Sequence, residues 1–288
     1  MTDPNNQILL WGLETIEFIQ ASRDPSWDKW VEYLTFLGSQ YFYMISLPFI
    51  LFFRSWKEAW LIAAVLLFGL TLNETLKEII SQPRPFVFWP RLGLIPEAGY
   101  GLPSGHSSGS LIFFASLALM VKRQFFTILC AFLVLGVSLS RIYLGVHFPS
   151  DVLAGWALGL VVLSLYKKWL QDINYHHYTL ASLTIIGLTV ATALIKGPQK
   201  QILMGGSCLL ALIFTIRLLE PWPKELSLKL KLTGILIGLI LMVGIILGGK
   251  TISAELWMVP IRYGLLVFTC LGLYPHIFLK LLKKKNLA

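Results

Sequence analysis

Long apolar runs, interrupted by short polar links, dominate the pattern along the chain. A helix that crosses a bilayer needs ~20 mostly apolar residues. Nine segments approach that length: 31–53, 59–80, 105–121, 124–144, 149–166, 178–195, 201–218, 229–248 and 257–281. Little chain remains between them, and in lipid every backbone polar group must be satisfied inside a helix. The pattern therefore predicts an all-α polytopic membrane helix bundle of about nine transmembrane helices, packed as a single domain. Ahead of the first run, Leu9, Leu13, Ile16 and Ile19 recur near helical spacing in a stretch too short and too charged to span. Residues 1–30 are therefore expected to form an interfacial segment with one helix on the membrane surface, the other reading being a helix packed on protein.

Composition agrees with this picture: 56% of the residues are hydrophobic and 14% charged. The start, MTDPNNQILL, shows neither a basic region nor a small-residue cleavage site, so no removable signal is expected. Cys130, Cys208 and Cys270 all fall in apolar segments without a pairing pattern and read as small hydrophobes. The net charge of +9 leaves no compact basic face once the spans are removed, so no nucleic-acid partner is expected. The charge reads instead as topology. Alternate links carry Arg54 and Lys57, Lys122 and Arg123, Lys167 and Lys168, then Arg217, Lys224, Lys229 and Lys231, and finally Lys280, Lys283, Lys284 and Lys285. That richer side should be cytoplasmic; the other carries Arg91, Lys196, Lys200 and Lys250.

Three stretches on the less basic side break the apolar pattern with ionisable residues, which at membrane ends usually mark function. In Lys77-Glu-Ile-Ile-Ser-Gln-Pro-Arg84-Pro85, the prolines end the second long helix and place Arg84 just beyond it, so that Lys77 and Arg84 can converge on one anion. In Pro103-Ser104-Gly105-His106-Ser107, a serine cap and a small glycine open the next helix, whose free N–H groups suit an oxyanion. In Ser140-Arg141-Ile-Tyr-Leu-Gly-Val-His147-Phe-Pro-Ser-Asp151, a turn at Gly145 and Pro149 leaves His147 and Asp151 four residues apart on one helical face. Three cations, two histidines and an orienting carboxylate make up what phosphoryl transfer requires. His147, held by Asp151, would attack phosphorus. His106 would protonate the leaving oxygen and later activate water. Lys77, Arg84 and Arg141 would neutralise the phosphate, with no metal or other cofactor expected.

The spacing K-x6-R-P, P-S-G-H and S-R-x5-H-x3-D, over about residues 59–166, resembles that of the type 2 phosphatidic acid phosphatase family, which is related to the vanadium haloperoxidases. The resemblance implies that Lys77, Arg84, Ser104, Gly105 and Arg141 bind phosphate, with His106 the acid, His147 the nucleophile and Asp151 its partner. It divides the chain into a catalytic core over 31–168 and additional C-terminal transmembrane helices over 169–288. The segments LNETLKEIISQPRPF and SRIYLGVHFPSDVLAG, with the nine-helix layout, are also similar to the glucose-6-phosphatases. Asp151 keeps the broader family's acid, and the loop from Arg84 to Pro103 is shorter than in the glucose enzymes.

The function expected is hydrolysis of a membrane lipid phosphate or diphosphate: phosphatidic acid, phosphatidylglycerol phosphate or a polyprenyl diphosphate. A bacterial cytoplasmic membrane is the expected location, with the site facing away from the cytoplasm. A sugar phosphatase and a silent lipid-phosphate binder are the competing readings. Lys77 is also placed to pair with Asn73 or Glu74 on its own helix. His176, His177 and His276 read as interfacial, and Phe86, Phe88, Trp89 and Tyr100 as an aromatic belt or as contacts to the substrate.

Overall fold

The computed structural model describes the backbone of residues 7–172, 175–218, 223, 226–252 and 255–284; the side chains of 166–178, 217 and 250–252 lie outside that description. The expected roles of Lys167, Lys168, His176, His177, Arg217, Lys224, Lys250 and Lys285 therefore fall outside the described residues. The described elements are all helices, with no strand among them. In order, the helices are α1 (Gln7–Ala21), α2 (Asp28–Phe36), α3 (Gln40–Phe53), α4 (Trp56–Ile80), α5 (Pro85–Phe88), α6 (Gly105–Val121) and α7 (Gln124–Tyr143). Then follow α8 (Pro149–Asp172), α9 (Tyr175–Lys196), α10 (Lys200–Thr215), α11 (Leu228–Ile252), α12 (Met258–Phe268) and α13 (Tyr274–Lys284).

Every apolar run seen in the sequence is helical, as one helix or as two in succession. Among the described residues, Trp56–Phe88, Gln124–Tyr143, Thr179–Lys196, Leu228–Gly249 and Met258–Lys284 are long and apolar enough to span. The expected span over 31–53 is not one straight helix: α2 and α3 meet at a bend of 51° across residues 37–39 and together make a sixth candidate. Gly105–Val121 and Lys200–Thr215 are apolar but shorter, and Pro149–Leu165 is the apolar part with described side chains of α8, a helix of 24 residues. A helix of 17 residues such as α6 rises only about 26 Å against a hydrocarbon core of about 30 Å. Among the described residues, length and composition thus support five spans, or six with the bent pair, and do not confirm all nine that were expected.

The chain forms two compact units, one of Met1–Tyr43 with Leu72–Tyr166 and one of Met44–Thr71 with Lys167–Ala288. In the first, the stripe of α1 expected to lie on a membrane packs instead on protein. Leu9, Leu13 and Ile16 are buried with Leu92, Ile142, Phe148 and Val152, each worth about 1.5–3 kcal/mol if the alternative is water. Ile8, Trp11 and Phe18 remain exposed on the other side of α1. The Gln20 side-chain amide then donates to the carbonyls of Leu92 (2.9 Å) and Tyr143 (2.7 Å), tying the end of α1 to the segments around the site. Gly145 takes a positive φ of 68° as the chain leaves α7, and a Cβ built there would lie 1.8 Å from the Leu92 carbonyl oxygen, so only glycine fits the turn before His147.

In the second unit, two buried tryptophans of α4 satisfy their indole N–H groups: Trp56 donates to the Leu271 carbonyl at 2.7 Å and Trp60 to Thr215 Oγ1 at 2.8 Å. Leu271 lies in the π-helical turn Thr269–Leu273 that interrupts the last apolar run. A small apolar cavity of about 60 Å³ adjoins that turn, lined by Met44, Pro48, Met242, Val267, Cys270 and Tyr274 among others.

Candidate active site

The three polar stretches converge in the first unit. Ser81, at a φ of 57°, ends α4 just after Lys77, and Pro83 and Pro85 carry the chain in extended form to Arg84, which caps α5. Arg84 is 2% exposed and fully engaged. Its Nε donates to the Gly99 carbonyl (2.9 Å), Nη2 to the Ala98 carbonyl (3.0 Å) and Nη1 to the Val146 carbonyl (2.9 Å). Nη1 also lies 3.1 Å from Nε2 of His147.

His147 sits in the turn between α7 and α8, and Asp151 in the first turn of α8. Asp151 Oδ2 lies 3.2 Å from His147 Nδ1 and accepts the Phe148 N–H at 3.0 Å; Oδ1 accepts from the Gln82 amide at 2.9 Å. The carboxylate favours the proton on Nδ1 and leaves the Nε2 lone pair free to attack or to accept. Burial, first, and then the positive charges of Arg84, Arg141 and Lys77 together with His106 hold the His147 imidazole well below its ordinary pKa range. It is therefore neutral at neutral pH, the form a nucleophile needs.

The turn expected to bind an anion is the start of α6. Ser104 is its cap, its Oγ accepting from the Ser107 N–H at 3.4 Å and from the Ser107 hydroxyl at 3.1 Å, and its own N–H donates to the Asp151 carbonyl at 2.9 Å. A Cβ built on Gly105 would come within 3.2 Å of Asn73 Oδ1, 3.5 Å of Glu74 Oε1 and 3.6 Å of Lys77 Nζ, so the glycine lets the helix start approach the end of α4. Of its two possible partners, Lys77 takes Glu74, with Nζ 2.7 Å from Oε1. His106 is the second residue of α6, and its ring packs against Gly38 at the bend between α2 and α3. Arg141, in the last turn of α7, is buried: Nη1 donates to Thr35 Oγ1 at 3.0 Å, Nη2 pairs with Glu97, and among the described residues Nε has no partner. No three His, Cys, Asp or Glu side chains gather at metal-binding range among the described residues.

All eight residues singled out in the sequence thus lie in one unit, where direct contacts join Arg84, His147, Asp151 and Ser104. Four others meet them without having announced themselves, Thr35, Gly38, Gln82 and Glu97, and Asn73 faces Gly105. Gln82 alone carried a usable signal, since it stands between Lys77 and Arg84 just before Pro83. The flanking aromatics are protein contacts in part: Phe88 and Trp89 pack on the cluster beneath α1, and the Arg91 guanidinium lies 4.9 Å from the centre of the Trp89 ring.

The family model described as PAP2 superfamily matches residues 58–175, which include every one of the eight. The chain is 32% identical over 165 residues to phosphatidylglycerophosphatase B of Bacillus subtilis, covering 53% of this chain and 79% of that protein. It is 28% identical over 156 residues to undecaprenyl-diphosphatase of Sulfolobus acidocaldarius, covering 52% and 73%. Among solved structures, the transmembrane PAP2-type phosphatidylglycerolphosphate phosphatase of Bacillus subtilis superposes with a TM-score of 0.53 at 26% identity, over 59% of this chain and 90% of that one. Family match, relatives and superposition agree, and this multi-pass membrane chain belongs to the PAP2 superfamily.

Proposed function

We propose that the protein is a membrane phosphatase that hydrolyses lipid phosphate or diphosphate esters through a phosphohistidine on His147. The observation that carries the reading is the His147 ring itself, with Nδ1 on Asp151 and Nε2 beside the guanidinium of Arg84. In the first step His106, which takes up a proton as the phosphate anion enters among the cations, gives it to the leaving oxygen while Nε2 forms a bond to phosphorus and the bond to that oxygen breaks. Arg84 passes from Nε2 to a phosphate oxygen, while Lys77, Arg141, Ser104 and the free N–H groups at the start of α6, Gly105 among them, take the rest of the charge. In the second step His106 removes a proton from water, the hydroxyl adds to phosphorus, and the P–N bond breaks. Inorganic phosphate leaves and His147 returns to its neutral form.

The relatives that act on phosphatidylglycerophosphate and on undecaprenyl diphosphate support a lipid substrate. We place the site on the non-cytoplasmic face of a bacterial cytoplasmic membrane; the bias of lysine and arginine among the links supports that facing on the nine-span layout. A panel of phosphatidic acid, phosphatidylglycerol phosphate, a polyprenyl diphosphate and glucose 6-phosphate, turned over by purified protein in the presence of EDTA, tests the reading. Preference for a lipid ester and indifference to the chelator are expected. Preference for the sugar phosphate would transfer the protein to the other substrate class, and loss of activity in EDTA would contradict metal-free chemistry.

A further inference from the structure

Each of the three cations assigned to phosphate already has an internal partner, and the partners differ in what substrate must do to them. Glu74 is one turn from Lys77 on the same helix and can keep its contact while the ammonium turns to a phosphate. Arg84 Nη1 meets a neutral ring nitrogen. Arg141 alone is closed by an anion from elsewhere in the chain, the Glu97 carboxylate. Arg141 is 2% exposed at its side chain and Glu97 30%, so the carboxylate has a route outward that the guanidinium lacks. Glu97 also stands in an irregular loop whose next two carbonyls, Ala98 and Gly99, hold Arg84, and Gly99 has a φ of 73°. The segment 97–99 therefore touches both arginines. The buried, unpartnered Nε of Arg141 supplies a further donor beside the one Glu97 occupies.

We infer that Glu97 is an internal counter-anion that competes with the phosphate group for Arg141. Substrate phosphate displaces the carboxylate from Nη2 and takes Nη2 and Nε together as a planar fork, and after turnover Glu97 returns and expels inorganic phosphate. The exchange sets substrate affinity against product release. This rests on the reading of Arg141 as a phosphate ligand.

The test is titration calorimetry of inorganic phosphate into the purified full-length protein, its Glu97→Gln and Glu97→Ala variants, Arg141→Ala, and the double variant Glu97→Gln/Arg141→Ala. Both Glu97 variants should bind phosphate about fivefold tighter or more, and be correspondingly more product-inhibited, while Arg141→Ala binds it more weakly. In the Arg141→Ala background Glu97→Gln should have no further effect, because the two changes act on one contact. Unchanged or weaker binding in a folded Glu97 variant, or full additivity in the double variant, would overturn the exchange while leaving Arg141 a phosphate ligand. Wild-type affinity in Arg141→Ala would overturn the ligand reading itself.

Discussion

In the unit of residues 1–43 and 72–166, Lys77, Arg84, Arg141, His147 and Asp151 are all buried, and each is bonded to a neighbour. In the unit of 44–71 and 167–288, the buried polar residues among those described are Thr71, Ser182, Thr189, Thr192, Thr215 and one charged side chain, Arg262. Arg262 donates to the Gly249 carbonyl near the end of α11, where a cation complements the helix dipole. Buried charge is costly, and it persists where it is paired or used. The first unit concentrates that cost around one histidine, and the second closes with indole and hydroxyl bonds over an apolar interior. Substitutions in the first should damage turnover more than folding, and those in the second the reverse.

The largest effect is expected from His147→Ala, which should lower kcat by about 10⁴ or more, with the purified variant still monodisperse. Activity near that of the wild type would remove His147 from the chemistry. Asp151→Asn keeps the size of the side chain but loses the acceptor that fixes the ring tautomer, and a fall of about 10²–10⁴ in kcat is expected. Gln82→Leu strips one donor from Asp151 without touching His147. We expect about a tenfold loss of kcat with little change in KM, and a change in KM alone would show that Gln82 acts on binding and not on the Asp151–His147 pair.

His147 is held below its ordinary value of about 6.5 by burial and by neighbouring cations, and protonation removes the nucleophile. Protonation of His147 should therefore not limit activity until the pH falls below about 6.5. Arg141→Ala takes away one of the repelling charges, so the acid limb of kcat/KM, corrected for ionisation of the substrate, should move upward. A downward shift would contradict the assignment. At the small end, Gly234→Val in the second unit should leave kcat of the folded protein unchanged. It should lower the Tm, because a Cβ there would lie 2.2 Å from ring atoms of Phe52.

The helices around the site were legible because their punctuation is chemical. Lys122 and Arg123 separate α6 from α7, Ser104 caps α6, and Pro149 opens α8, so those boundaries stand within a residue of expectation. The bend at residues 37–39 carries no proline and breaks an apolar run only with Gly38 and Ser39, so periodicity reads it as one helix. The stripe of α1 was visible, but whether protein or lipid covers such a stripe is a tertiary matter; here Phe148 and Ile142 take it. Six of the eight candidates stood out because ionisable groups interrupt apolar sequence at fixed spacings, and Ser104 and Gly105 because they open a helix beside one of them. Thr35, Gly38 and Glu97 did not, because nothing local distinguishes a threonine that meets Arg141 or a glutamate that closes it from ordinary surface residues; the partner lies 106 residues away in one case and 44 in the other.

The claim on which the rest depends is a covalent phosphate on His147. Rapid acid or alkaline quench of the purified protein with a ³²P-labelled lipid phosphate, followed by peptide mapping, measures it directly. We predict label that survives alkali, is lost in acid, maps to the peptide containing His147 and is absent from His147→Ala. Turnover with label on an aspartate or serine, or a labelled His147→Ala protein that still cleaves its substrate, would contradict it.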